Sequence, residues 1–242
     1  MATIAATAAE LGAMARASSD RRGYFTAMYA RVTGRIAAAI ASGRFEDAAR
    51  MEEFATTFAS RYLMPIQGQA PAPRCWQAAW DVAGDDRLLI VQHLLLGINA
   101  HVNHDLAATV VDVAAARGEI DSIRPDFDAV NLVLAETYDE LVGDLGLVSR
   151  WATAASRLGG GDAFNFSLRV ARDQAWRAAV AMHSLDEAGV RAYTAELDRL
   201  VTVLAYLITQ PPAVLRPLIW LARRLETDDP ATVTLALLGE DG

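Results

Sequence analysis

Apolar residues recur at spacings of three and four along nearly the whole chain, and no stretch shows the strict alternation of a half-buried strand. Breaks in that period divide the chain into helices. After a short first helix, Ser18-Ser19-Asp20 caps one from about Arg21 to Ala41, stopped by Ser42–Gly43. Another runs from about Phe45 to Leu63, ahead of Pro65. Residues 65–74 hold three prolines and a glycine and read as a loop long enough to cover a site. A short helix over Cys75–Ala83 closes at Gly84, and a long apolar one follows from about Arg87 to Arg117, ending at Gly118. Further helices are expected over Pro125–Leu145, Leu147–Leu158 (halted by Gly159-Gly160-Gly161), Asp162–His183, Ser184–Gln210 and Pro212–Glu226. The pattern predicts one all-α domain over residues 1–242, a bundle of eight or nine helices. Its first helix, residues 1–19, reads as either amphipathic or frayed, and residues 227–242 as a tail.

Composition agrees with helix: 53% of residues are hydrophobic, and alanine and leucine dominate. A net charge of −8 with scattered arginines argues against a nucleic-acid surface, which needs clustered cations. The single cysteine, Cys75, rules out an intrachain disulfide and fits a reducing compartment. With no CxxC partner, a thiolate metal site is excluded on spacing, and Cys75 is expected to pack beside Trp76. The N-terminus lacks the basic region of a secretory signal. The most apolar stretch, 200–222, is interrupted by three prolines and Arg216, so neither half spans a bilayer. Two buried helices meeting at Pro211–Pro212 in a soluble cytoplasmic protein are the expectation; an exposed face there would point to a homodimer.

The candidate chemistry lies in Q-H-L-L-L-G-I-N-A-H-V-N-H-D-L, residues 92–106, with three of the four histidines. At ~100° per residue, His104, His101 and Asp105 stand about 20°, 80° and 120° round from His93, so all the titratable groups share one third of the helix. His93 and His101 are ~12 Å apart along a straight helix and cannot share an ion unless it breaks near Gly97–Ile98–Asn99. His101 and Asp105, at i and i+4, can share one, as can His101 and His104. Unpaired burial of so many polar groups costs several kcal/mol, so they either satisfy one another or line a cavity. Asp126 is a weak further metal ligand, equally explained as an acid at a helix start. Asn131, Arg172 and Trp176 are candidates to line the cavity, Arg172 holding an anion. His183 with Glu187 is set aside because Ser184–Glu187 reads as a capping box. No Walker A loop, GxGxxG, GxSxG, DDxxD or paired ExxH motif occurs.

Residues 92–106, together with Pro73-x-Cys75-Trp76, Asp126-Phe127-x-x-Val130-Asn131 and Arg169-x-x-Arg172-x-x-x-Trp176, resemble the signature of a bacterial all-helical family of unknown function. The resemblance covers roughly residues 20 to 185. It implies that His93, Asn99, His101, Asn103 and Asp105 form one site, with His104 at a variable position. It names no reaction.

The expectation is an enzyme acting on a small or lipid-like organic molecule in a mostly apolar helical cavity, by hydrolysis or by cyclisation or isomerisation. His101 is its central group, either ligating a divalent metal (zinc, iron or manganese) with Asp105 or acting as an acid/base oriented by it. His93 is a second catalytic group or a partner to the first, and Asn99 and Asn103 bind substrate or orient the imidazoles. The alternative is a non-catalytic ligand-binding or interaction protein whose cluster is a buried structural network.

Overall fold

The computed structural model describes residues 3–155 and 161–240, and every regular element among them is helical. In order these are α1 (Ile4–Ala17), α2 (Arg22–Ala41), α3 (Ala48–Ile66), α4 (Arg74–Asp81), α5 (Ile90–Ala100), a π-helical turn (His101–Asp105), α6 (Leu106–Arg117), a 3-10 turn (Ile120–Ile123), α7 (Arg124–Val148), α8 (Arg150–Ala155), α9 (Gly161–His183), α10 (Glu187–Thr209), a second 3-10 turn (Ala213–Leu215), α11 (Arg216–Arg223) and α12 (Pro230–Leu238). The all-α expectation holds. One antiparallel bridge, Ser149 to Glu226, is the sole extended pairing among the described residues. Residues 156–160, which include most of the expected triple-glycine stop, lie outside the described residues.

Boundaries fall where local chemistry sets them. The Thr3 hydroxyl and the Asp47 carboxylate accept backbone N–H groups at the starts of α1 and α3, and Pro125 sits in the first turn of α7. Three expectations need correction. The Ser184–Glu187 box does not form: the Ser184 hydroxyl donates back to the Ala181 carbonyl, and Asp186 caps α10 by accepting from Gly189 N–H. The expected tail holds α12, capped by Asp229, with Pro230 in its first turn and Gly239 left-handed at its end (φ 73°). Its Val233 and Leu237 are buried. The first helix is tied down rather than frayed, with Ile4, Leu11 and Ala15 buried against its neighbours.

The expectation for 200–222 also changes. No helix among the described residues is long and apolar enough to cross a membrane, but the two segments are not buried. Only the stripe carrying Val201 and Ala205 faces α4 and α5. Leu207, Leu218 and Trp220 stand exposed on α10 and α11.

The cluster-bearing helix, α5 through the π-turn to α6, packs against α2, α3, α4, α9 and α10. The helix does not break at Gly97, the condition under which His93 and His101 could share an ion; that glycine serves close approach, since a Cβ there would collide with the Phe25 ring of α2. The irregularity comes four residues later, as the π-turn. Gly97→Ala would ordinarily stabilise a helix by ~1 kcal/mol through propensity. Here overpacking against Phe25 reverses the sign, and a net loss of ~1–3 kcal/mol is expected in urea denaturation. A stabilised variant would refute that contact.

A buried imidazole–carboxylate network beside an apolar cavity

The π-turn brings His101, His104 and Asp105 together. Asp105 is buried and collects three N–H groups: Trp76 Nε1 from α4 and His101 Nδ1 both reach Oδ2, at 2.9 and 3.0 Å, while His104 Nδ1 reaches Oδ1 at 2.7 Å. Burial opposes ionisation of this carboxyl, but the hydrogen bonds from His101 and His104 outweigh it and hold its pKa below the ordinary carboxylate value. An ionised carboxylate only accepts, so each imidazole Nδ1 facing it carries the proton. In the neutral rings, both Nε2 atoms therefore hold a lone pair. Burial depresses the pKa of His101, more than Asp105 raises it, so that ring is neutral at neutral pH.

His101 is set by aromatic walls. Its ring stacks on Phe58 at 3.6 Å between centroids, 11° from parallel, and meets Tyr29 edge-on at 4.5 Å. Its Nε2 is buried and has no hydrogen-bond partner among the described residues. Such an orphan is costly in a core and is a mark of function. His101 also forms part of the wall of a cavity of about 210 Å³, lined from α2, α3, α5, α7 and α9 almost wholly by apolar side chains. A dry engineered cavity of ~150 Å³ holds benzene, which sets the scale.

One charge belongs to the same wall. Arg172 of α9 donates from Nε to Asn131 Oδ1 (2.8 Å) and from Nη2 to the Phe127 carbonyl (2.6 Å), and its guanidinium lies 4.3 Å from the centre of the Phe127 ring. It is buried, and among the described residues it makes no ion pair with a carboxylate. Burial pulls its pKa down to about 10.

The other predicted residues divide. Asn99 donates to the Val201 carbonyl (2.9 Å), and Asn103 donates to Asn99 Oδ1 (2.9 Å), tying the helix to α10. His93 donates from Nε2 to the Asp85 carbonyl (3.3 Å), stands edge-on to Tyr24 and borders a separate void of about 20 Å³. Asp126 accepts from Arg50 and from the backbone N–H groups of Glu46 and Asp47, anchoring the start of α3. Its oxygens serve that loop, not His101. Asn131 acts through Arg172, and Trp176 packs on Phe127 in the core. His101 and Asp105 meet as a hydrogen bond rather than as two vacant ligands, since Asp105 already faces three donors.

Sequence reasoning missed Trp76, Tyr29 and Phe58 as parts of the site and set His104 apart. A buried indole N–H needs an acceptor, which was a usable signal for Trp76. Nothing in local spacing distinguishes Tyr29 or Phe58 from other core aromatics.

In class, the chain is an all-α bundle that closes a histidine–aspartate network against an apolar cavity. It belongs to the family of unknown function DUF5995, whose model matches residues 2–211. That extends the resemblance seen over residues 20 to 185. No curated protein and no solved structure matches the chain.

Proposed function

We propose that this chain is an enzyme that admits a lipid-like organic anion to the cavity and moves a proton on it, with His101 Nε2 as the base. The observation that carries this reading is the buried, unpartnered Nε2 on a cavity-wall residue whose Nδ1–H is held by Asp105. Asp105 fixes the tautomer and stabilises the imidazolium formed when Nε2 takes a proton. An apolar wall suits C–H deprotonation in an isomerisation or cyclisation better than hydrolysis, which needs a positioned water. Arg172, a buried cation without a carboxylate partner, receives the anionic head, because such a charge gains most from a ligand that neutralises it.

The ligand-binding alternative keeps the cavity and Arg172 and drops the proton transfer. It is favoured by one observation: Asn99, Asn103 and His93 are engaged as structural ties. The homodimer reading rests on the exposed face of α10 and α11, and a cytoplasmic setting on the single buried thiol.

Binding and exchange test both readings. Long-chain carboxylates are expected to bind ~10–100-fold more tightly than their methyl esters, the value of one charge-assisted hydrogen bond. Arg172→Met should erase that difference. Long-chain keto acids should exchange an activated C–H with solvent deuterium by mass spectrometry, and His101→Ala should bind them without exchange. Binding without exchange in the wild type would establish the carrier reading. Absence of binding would end both.

A further inference from the structure

On the side of Asp105 that the cavity mechanism does not use, His104 meets two residues from other helices. One ligand-type atom from each of Cys75 (α4), His104 and Asp198 (α10) lies within 4.8 Å of the other two. We propose that Cys75 Sγ, His104 Nε2 and an Asp198 carboxylate oxygen bind a borderline-soft divalent cation of the zinc type, with a fourth position open. This site is independent of the proton-transfer reading. Distance in sequence hid it: the residues are drawn from positions 75, 104 and 198, and a rule of paired cysteines excluded a thiolate ligand that needs no second cysteine.

Each ligand is already held in place. His104 has Nδ1 bonded to Asp105 at 2.7 Å, the carboxylate–imidazole arrangement that orients a metal-binding ring and leaves Nε2 to ligate. The Asp198 oxygens accept from Arg74 N–H (3.0 Å) and Cys75 N–H (2.9 Å), so the carboxylate is fixed at the start of α4 beside the sulfur, with lone pairs to spare. Tetrahedral bonds to sulfur, nitrogen and oxygen require ligand separations of ~3.3–3.8 Å, so closing the site asks for up to ~1 Å of side-chain movement. One thiolate with one imidazole selects zinc over manganese or magnesium. Three protein ligands and a vacant fourth position match the pattern of zinc sites that bind water or substrate.

The same three groups do not make a cysteine nucleophile. Cys75 is fully buried, its thiol is pushed up by burial and then by its hydrogen bond to Asp198, and an organic electrophile has no path to Sγ. Asp198, half-buried, is the member of the three that meets solvent. On binding, the cation replaces the thiol proton, so Cys–SH and M²⁺ give a Cys–S–M bond and one released H⁺. Asp105 also meets no arginine among the described residues, and the two imidazoles hold it by hydrogen bonds. A cation on His104 would supply positive charge one imidazole away from this buried carboxylate.

The test is cobalt(II) titration of the full-length protein after chelation, under anaerobic conditions. The wild type should develop a near-ultraviolet thiolate-to-cobalt band saturating at one equivalent and abolished by one equivalent of zinc. Cys75→Ser, an isosteric change, should lose the band with its circular dichroism intact. His104→Gln and Asp198→Asn should each weaken cobalt binding by ~10-fold or more. His101→Ala should bind cobalt as the wild type does, whatever its effect on the cavity chemistry. The proposal is overturned if the wild type gives no thiolate band, a result that needs no variant to fold. It is equally overturned if the band survives Cys75→Ser, or if binding is lost in His101→Ala.

Discussion

Asp105→Ala is expected to destabilise the protein by ~3–5 kcal/mol, the cost of removing one member of a buried charged cluster. The figure follows from what the side chain leaves behind. Trp76 Nε1–H, His101 Nδ1–H and His104 Nδ1–H all lose their acceptor at a buried site. Each unsatisfied donor costs ~1–3 kcal/mol, moderated by water entering the gap. For a chain of this size, ~2–4 °C is lost per kcal/mol, so the melting temperature should fall by about 6–20 °C. Asp105→Asn should fall between the two, because its amide offers an acceptor to some donors and turns its own NH2 toward another. Coupling gives a sharper check. Once Asp105 is gone, Trp76→Phe no longer breaks a hydrogen bond, so its added cost should be smaller than in the wild type. Additive costs in that double-mutant cycle, or an Asp105→Ala protein melting within a degree of the wild type, would mean the carboxylate is not the hub of the network.

The fold was legible because the 3.6-residue period is nearly unbroken and the punctuation is chemical: Gly118 and Pro125 both act where they stand. Misreadings had local causes. Ser184 and Asp186 both offer a capping oxygen within three residues, and the chain uses the second. Asp229, Pro230 and Gly239 spelled out α12, but the helix is only nine residues long and looked like a tail. The site was half legible. Helical phase grouped His101 with Asp105 correctly, yet assumed a uniform ~100° per residue. The π-turn alters that phase where it matters and brings His104 onto the same carboxylate. His93 shares the expected stripe and still belongs to another environment, since a stripe cannot say which neighbour covers each of its ends. Trp76, Cys75 and Asp198 come from other helices, and only packing shows where they arrive.

That packing sets the response to acid, where the second large effect is expected. Burial, with Arg21 and Arg223 nearby, lowers the His93 pKa to about 4, against the weaker pull of the Asp85 carbonyl and carboxylate. Burial also lowers that of His101. In the unfolded chain both return to ~6.5. A histidine whose folded pKa is depressed binds fewer protons in the native state than in the unfolded one, so its contribution is complete above ~6.5 and is lost as pH falls toward the folded pKa. His93 contributes a slope of ~1.4 kcal/mol per pH unit below 6.5 and removes ~3 kcal/mol by pH 4. With His101 titrating in the same direction, unfolding free energy from urea denaturation should drop between pH 7 and pH 4.5 by more than the ~2–3 kcal/mol that His93 alone removes, a large share of a typical domain's total. Glu226 works the other way. Burial raises its pKa, so its native state gains relative stability as pH falls through the carboxylate range, flattening the curve near its acid end. His93→Gln, which retains a donor for the Asp85 carbonyl, should remove the ~1.4 kcal/mol per pH unit that His93 contributes between pH 6.5 and 5, while leaving stability at pH 7.5 within ~1 kcal/mol of the wild type. A wild-type profile flat from pH 7 to 5 would show that both imidazoles ionise freely in the native state, and that the His101 environment is wet rather than the dry site its orphaned Nε2 indicates.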